Sequence, residues 1–184
     1  MMEQSALLII DIINDFQFKH GKALAEKTYA ICPNIVKLKE TMQKKHMPII
    51  YINDHYDLWQ ADYNKIMDNC RNSLSASIIE ALSPEDEDFF LIKPKHSAFF
   101  GTALHTLLSQ LKVKNLILTG IAGNICVLFT ANDAYMREYG LSIPNDAIAS
   151  ADDQDNAYAL RMMENVLKAD VRSTEMLLSG LFSL

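Results

Sequence analysis

NLILTG (Asn115–Gly120), IAGNIC (Ile121–Cys126) and VLFTANDAYMREYG (Val127–Gly140) form one continuous stretch, and its reading decides the fold. The first piece is a short apolar run, typical of a strand covered on both faces. The last has helical character and is closed by a glycine. Between them a glycine and an asparagine mark the turn. Asn124 suits an N-cap, which puts Cys126 at the second helical position. A strand, a turn and a helix, with a thiol in the turn, is where an α/β enzyme can present a nucleophile.

The same alternation extends outward. ALLIID (Ala6–Asp11), PIIYIN (Pro48–Asn53) and FFLIK (Phe89–Lys93) are further buried-strand runs, LSIP (Leu141–Pro144) is a weaker one, and ADVRS (Ala169–Ser173) fits an edge strand. Helical spacing lies between them. Pro33 suits a first helical turn, followed by Ile35, Leu38 and Met42. Leu104, Leu107, Leu108 and Leu111 make a second apolar face. Ala157, Leu160, Met163 and Leu167 mark a third within Asp153–Lys168. Ser173 can cap a short final helix, Thr174–Ser179. The pattern predicts an α/β fold, a parallel Rossmann-like sheet with helices on both faces. Ligands of such sheets bind beyond the carboxyl ends of the strands. Functional residues are therefore expected at Asp11, Asn53–Asp54, Lys93 and the Gly120–Cys126 turn.

At 184 residues the chain reads as one domain, 1–184. Its 49% hydrophobic and 22% charged residues are ordinary for a globular protein. A net charge of −6 and the lack of a basic stripe argue against nucleic acid as a partner. MMEQSALLIID has no basic n-region, and no run approaches the ~20 apolar residues of a membrane helix, so neither a signal peptide nor a membrane partner is expected. Three scattered cysteines, Cys32, Cys70 and Cys126, fit reduced thiols and a cytoplasmic location. Without GxGxxG or GxxxxGK[ST], no nucleotide cofactor is expected.

Each strand-end residue has two readings. Asp11 follows five apolar residues, so its carboxylate needs a partner or a raised pKa; it can equally be a cap or a loop acceptor. Lys93 can hold its ammonium at the sheet rim or be an exposed strand end. Cys126 can be a buried structural cysteine, or a thiol whose pKa a helix N-terminus lowers. Taken together, an acid, an amine and a thiol make a nucleophilic site. Cys32 and Cys70 read as structural.

LLIIDIINDF around Asp11, IKPKHSAFFGT around Lys93 and LILTGIAGNICVLFTANDAYMREYGLSIPNDAIAS around Cys126 resemble the isochorismatase-like cysteine hydrolases, which include nicotinamidases and N-carbamoylsarcosine amidases. The three motifs fall in the right order and spacing over most of the chain. The resemblance implies a three-layer α/β/α sandwich with a mostly parallel six-stranded sheet. It implies a triad in which Cys126 is the nucleophile, Asp11 takes the thiol proton and later activates water, and Lys93 holds the charged pair. It also implies a cis peptide between Ile121 and Ala122, with the N–H groups of Ala122 and Cys126 as oxyanion hole. The reaction implied is cleavage of an amide, carbamoyl or related acyl bond of a small molecule in a homo-oligomer, dimer or tetramer. The family's other branch cleaves a vinyl ether and does not need a thiol; a non-catalytic binding member of the fold is the remaining alternative.

The sequence departs from the nicotinamidase metal motif, Asp-x-His after the second strand. Here Asn53-Asp54-His55-Tyr56 places the histidine one residue early, with no clear third ligand, so no metal is expected. Phe16, Asn53, Trp59, His96 and Phe99 are expected in the substrate pocket, Phe16 because the resemblance implies an aromatic at that spacing after Asp11 and the others as loop residues of the same sheet edge.

Overall fold

The computed structural model describes residues 4–181. Its strands are β1 (Ser5–Ile10), β2 (Ile49–Asp54), β3 (Phe89–Lys93), β4 (Asn115–Ile121), β5 (Gly140–Ser142) and β6 (Ile148–Ala149). Its helices are α1 (Gly21–Lys44), α2 (Tyr63–Cys70), α3 (Ala76–Ala81), α4 (Leu104–Gln110), α5 (Leu128–Tyr135), α6 (Asp153–Asn165) and α7 (Thr174–Leu181). A π-helical turn, Gly123–Val127, leads into α5.

The sheet runs β3-β2-β1-β4-β5, with β6 also against β4, and every pairing is parallel. Chain order climbs one way from β1 through β2 to β3 and the other way from β4 to β5. The switch point therefore lies between β1 and β4, where such sheets leave a crevice. Alternation along β1 divides the core. Leu7 and Ile9 face α1, whose Ile35, Leu38 and Met42 are buried with them. Ala6, Leu8 and Ile10 face the other layer, against Leu104 and Leu108 of α4 and Met163 of α6. Both faces are covered, which is why these strands are continuous apolar runs.

Several boundaries differ from the sequence expectation, for local reasons. Pro33 does not open a helix; it sits inside the 24-residue α1. A proline there leaves the carbonyl four residues back without its N–H. Both Pro33 and Tyr29 lie on the exposed side of α1, where water can serve that carbonyl. The apolar periodicity of the opposite face carries the helix through. The sixth strand is Ile148–Ala149; the Ala169–Ser173 segment contributes a single bridge, Ser142 to Asp170. Cys32 lies within α1 and is buried, as is Cys70 at the end of α2. The chain turns out of α5 at Glu138, with φ of 63°, before Gly140 starts β5.

Gly120 is where the central strands meet most closely. Its φ is 106°, and a Cβ there would lie 2.1 Å from the carbonyl oxygen of Ile10. No side chain fits without parting β1 from β4. Gly120→Ala is expected to cost about 3 kcal/mol or more, read as a lowered urea midpoint; a loss under about 1 kcal/mol would show that the two strands can separate there freely.

Candidate active site

Asp11 is the first residue beyond β1. Its N–H donates to the Ile52 carbonyl at 3.0 Å, which continues the sheet for one more residue. Its φ of 50° is a conformation that Asp tolerates better than most residues, and it leaves the carboxylate at the strand mouth. Oδ1 accepts from the Asp54 N–H at 2.9 Å. Oδ2 lies 2.7 Å from Nζ of Lys93. Asp54 pairs with Lys93 in the β2–β3 register, so the geometry of three neighbouring strands fixes this contact.

Lys93 is 2% exposed, and an ammonium so buried needs all three donors used. Its partners are Asp11 Oδ2, the Lys95 carbonyl at 3.1 Å and Sγ of Cys126 at 3.5 Å. The acid, the amine and the thiol are thus in mutual contact, although they lie far apart in sequence.

Cys126 is held by an unusual turn. The Ile121–Ala122 peptide is cis. The Ala122 carbonyl then accepts from the N–H of Ile125 at 3.0 Å and of Val127 at 3.1 Å. Asn124 is not an N-cap: its N–H donates to Ser150 Oγ at 3.0 Å, and Ser150 Oγ donates to Asn156 Oδ1 at 2.7 Å. A Cβ on Gly123 would lie 2.3 Å from that same Asn156 oxygen. Ser150 and Asn156 therefore pin the turn from the β6–α6 side. Sequence reasoning missed both. Ser150 follows a strand end, but a two-residue strand is too short for an apolar run to announce.

The electrostatics reverse one expectation. The helix N-terminus was expected to lower the Cys126 pKa, but burial, then the facing Asp11 carboxylate, push the thiol up to about 12, against the opposing pull of Lys93. Burial also raises Asp11, with Lys93 drawing it back. Burial acts to lower Lys93, yet Asp11 and Cys126 outweigh it and hold the ammonium protonated. Both shifts keep the proton on Cys126 and on Lys93.

A cavity of about 760 Å³ opens over this cluster, with Asp11, Cys126, Ala122, Asn124 and His96 in its wall. A space of the same volume at the opposite end of the sheet, against Pro48, Ile49 and Phe89, has no thiol in its wall. Of the five residues expected in the pocket, His96 lines it. Phe16 is 2% exposed and packs into the core beneath α1. Asn53 clamps the loop after β1, giving Nδ2–H to the Ile13 carbonyl at 2.8 Å and accepting the Ile13 N–H at 3.2 Å. Phe99 is buried between Tyr139 and the guanidinium of Arg137. Trp59 stacks on His55 with centroids 3.9 Å apart and stands outside the cavity. An aromatic near a motif is as readily core as wall, and spacing alone does not separate the two. Asn14, Phe18, His20 and the first turn of α6 supply walls that the sequence did not suggest.

The Asp54 carboxylate accepts the Tyr56 N–H at 2.8 Å, and His55 Nδ1 accepts the Asp57 N–H at 3.0 Å. Each bond closes a local turn, and among the described residues no three His, Cys, Asp or Glu side chains converge as a ligand set.

The Isochorismatase domain family matches residues 5–176. The chain belongs to the isochorismatase family of hydrolases. It is 60% identical over 173 residues to the isochorismatase family protein YaaI of Bacillus subtilis (strain 168), covering 94% of this chain and 96% of that one. The crystal structure of nicotinamidase PncA from Bacillus subtilis superposes with a TM-score of 0.73 at 26% identity, covering 92% of this chain and 99% of the other. N-carbamoylsarcosine amidase from Thermoplasma acidophilum gives a TM-score of 0.70 at 26% identity, covering 94% and 97%. Both of these isochorismatase-fold neighbours are named for amide or carbamoyl hydrolysis. No helix among the described residues is long and apolar enough to cross a membrane.

A resting thiol pushed this high reacts slowly until hydroxide removes its proton. Alkylation of Cys126 by iodoacetamide in the free protein is expected to be slow at pH 7 and to rise about tenfold per pH unit between pH 8 and 10. Peptide mass mapping reads the site directly. A rate that levels off below pH 8 would mean that Lys93, not Asp11 and burial, governs the thiol.

Proposed function

We propose that this protein is a cysteine hydrolase of small amides, carbamoyl compounds or related acyl substrates, acting through Cys126, Asp11 and Lys93. The observation that carries the reading is the buried contact among the three: Lys93 Nζ touches both Asp11 Oδ2 and Cys126 Sγ. The names of the nicotinamidase and N-carbamoylsarcosine amidase neighbours support the same bond class.

The chemistry follows from the protonation states. As Sγ attacks the substrate carbonyl carbon, the thiol proton passes to Asp11, whose raised pKa makes it a stronger base than an ordinary carboxylate. The C=O π pair moves onto oxygen. The N–H groups of Ala122 and Cys126 are assigned to hold that oxyanion; both residues line the cavity beside the thiol. The tetrahedral adduct collapses, the C–N bond breaks, and the leaving nitrogen takes the proton from Asp11. A thioester remains. Asp11 then removes a proton from water, the water oxygen adds to the thioester carbon, the C–S bond breaks, and Asp11 passes its proton to sulfur, which returns the thiol and frees the acid. Lys93 stays charged throughout and offsets negative charge on sulfur or on Asp11 in turn. No step requires a metal or an organic cofactor.

A homo-oligomer, dimer or tetramer, and a cytoplasmic location belong to the same reading. Solvent-facing Phe129 on α5, Met162 on α6 and Val166 just after it support the first, and three cysteines free of disulfides the second.

Across a panel of primary amides and carbamoyl compounds, Cys126→Ala and Asp11→Asn are each expected to lower kcat/KM by at least about a thousandfold, with circular dichroism unchanged for Cys126→Ala. Near wild-type turnover by Cys126→Ala would exclude the covalent route.

A further inference from the structure

We infer that the cavity over Cys126 takes uncharged or cationic amides with an apolar body and refuses anionic ones, and that Asp152 and Asp155 set this preference. The inference rests on the reading of Cys126 as nucleophile and adds the substrate's charge and shape.

The sign of charge in the wall is one-sided. Asp11, Asp152 and Asp155 line the cavity together with two imidazoles, His20 and His96; neither a lysine nor an arginine does. Lys93 lies behind Asp11, its three donors already placed on Asp11, the Lys95 carbonyl and Cys126. Lys27, the cation beside the Ala151 wall, gives its ammonium to the Ala151 carbonyl at 3.1 Å and to Asp153 at 2.6 Å. A substrate carboxylate would therefore enter without a guanidinium or ammonium to receive it, and a buried charge without a partner is costly.

The two rim carboxylates are built into the helix start. Asp152 is the N-cap of α6, and its Oδ1 accepts from the N–H groups of Gln154 and Asp155 at 2.8 and 3.0 Å. Those two bonds, the Asp155 N–H first, hold its carboxyl below the usual range, so it stays charged. Asp155 has no side-chain partner among the described residues and is exposed on the first turn of the same helix. The α6 N-terminus, which would otherwise welcome an anion, is thus filled by the protein's own carboxylate. Both acids stand in the cavity wall on exposed positions, where they repel a like charge, most strongly at low salt.

The remaining wall is apolar. Phe18, Leu24, Ile121 and Ile125 flank the thiol, and Phe18 and Ile125 are large and solvent-facing. They suit a flat or aliphatic body attached to the scissile carbonyl.

The test compares three primary amides on one ring: benzamide, 4-(aminomethyl)benzamide and 4-carboxybenzamide. kcat/KM is measured at pH 8, above the range where imidazoles ordinarily take a proton, at low and at 0.5 M salt. The neutral and cationic amides are expected to exceed the anionic one by about tenfold or more, with salt narrowing the gap for the charged pair. Asp152→Asn keeps a capping side chain, and combined with Asp155→Lys it is expected to shift the anionic-to-cationic ratio at least about tenfold toward the anion. An anionic amide hydrolysed as fast as the neutral one, or an unshifted ratio in the double variant, overturns the inference while the thiol mechanism stands. Turnover of other amides but of none of the three does the same. If no amide of any charge acylates Cys126, the thiol reading falls and the inference with it.

Discussion

An ammonium 2.7 Å from a carboxylate, both almost out of water, is the constraint on which the rest of this structure depends. Burying either charge alone costs several kcal/mol, so the pair is tolerable only if its geometry is imposed from outside. The sheet imposes it. Asp11 is tied to Ile52 and Asp54 on one neighbouring strand. Lys93 is fixed by its register with Asp54 and by the Lys95 carbonyl. Removing either partner would leave a charge that the strands themselves hold in place.

The same pair determines the state of the Cys126 thiol. A thiol beside a lone ammonium would ionise readily, and a thiol beside a lone carboxylate would not. Here the carboxylate and burial prevail, so Cys126 rests protonated. That suits a hydrolase, because the proton needed by the leaving nitrogen is already in the site. A reactive thiolate would be exposed to oxidation and to stray electrophiles between turnovers. In the proposed reaction the proton leaves sulfur only as a carbonyl is attacked, and Asp11 takes it.

Much of this could be read from the sequence because parallel sheets write themselves plainly. Buried strands are continuous apolar runs, and the polar residue that ends each run stands at the ligand-binding edge. Asp11, Lys93 and the Cys126 turn followed from that rule and from the family motifs. What escaped had no such signature. Pro33 within α1 was masked because local proline chemistry was overridden by a long buried face. The two-residue β6 was too short to register. With it went Ser150, Asn156 and the acidic start of α6, which pin the nucleophile turn and shape the cavity. Phe16 and Phe99 looked like walls because they are aromatic and near the motifs, but a large apolar side chain near a strand end gains most by turning into the core.

The cluster, the turn and the cavity make one claim: that Cys126 forms a bond to carbon during turnover. The most direct measurement is intact mass after acid quench of the protein mixed with a pool of small metabolites, followed by peptide mapping. The account predicts a mass gain located on Cys126 in the wild-type protein, equal to an acyl or carbamoyl group and discharged by hydroxylamine. It predicts no such gain in Cys126→Ala. Turnover of an amide by the wild-type protein with no adduct on Cys126, together with undiminished turnover by Cys126→Ala, would contradict it.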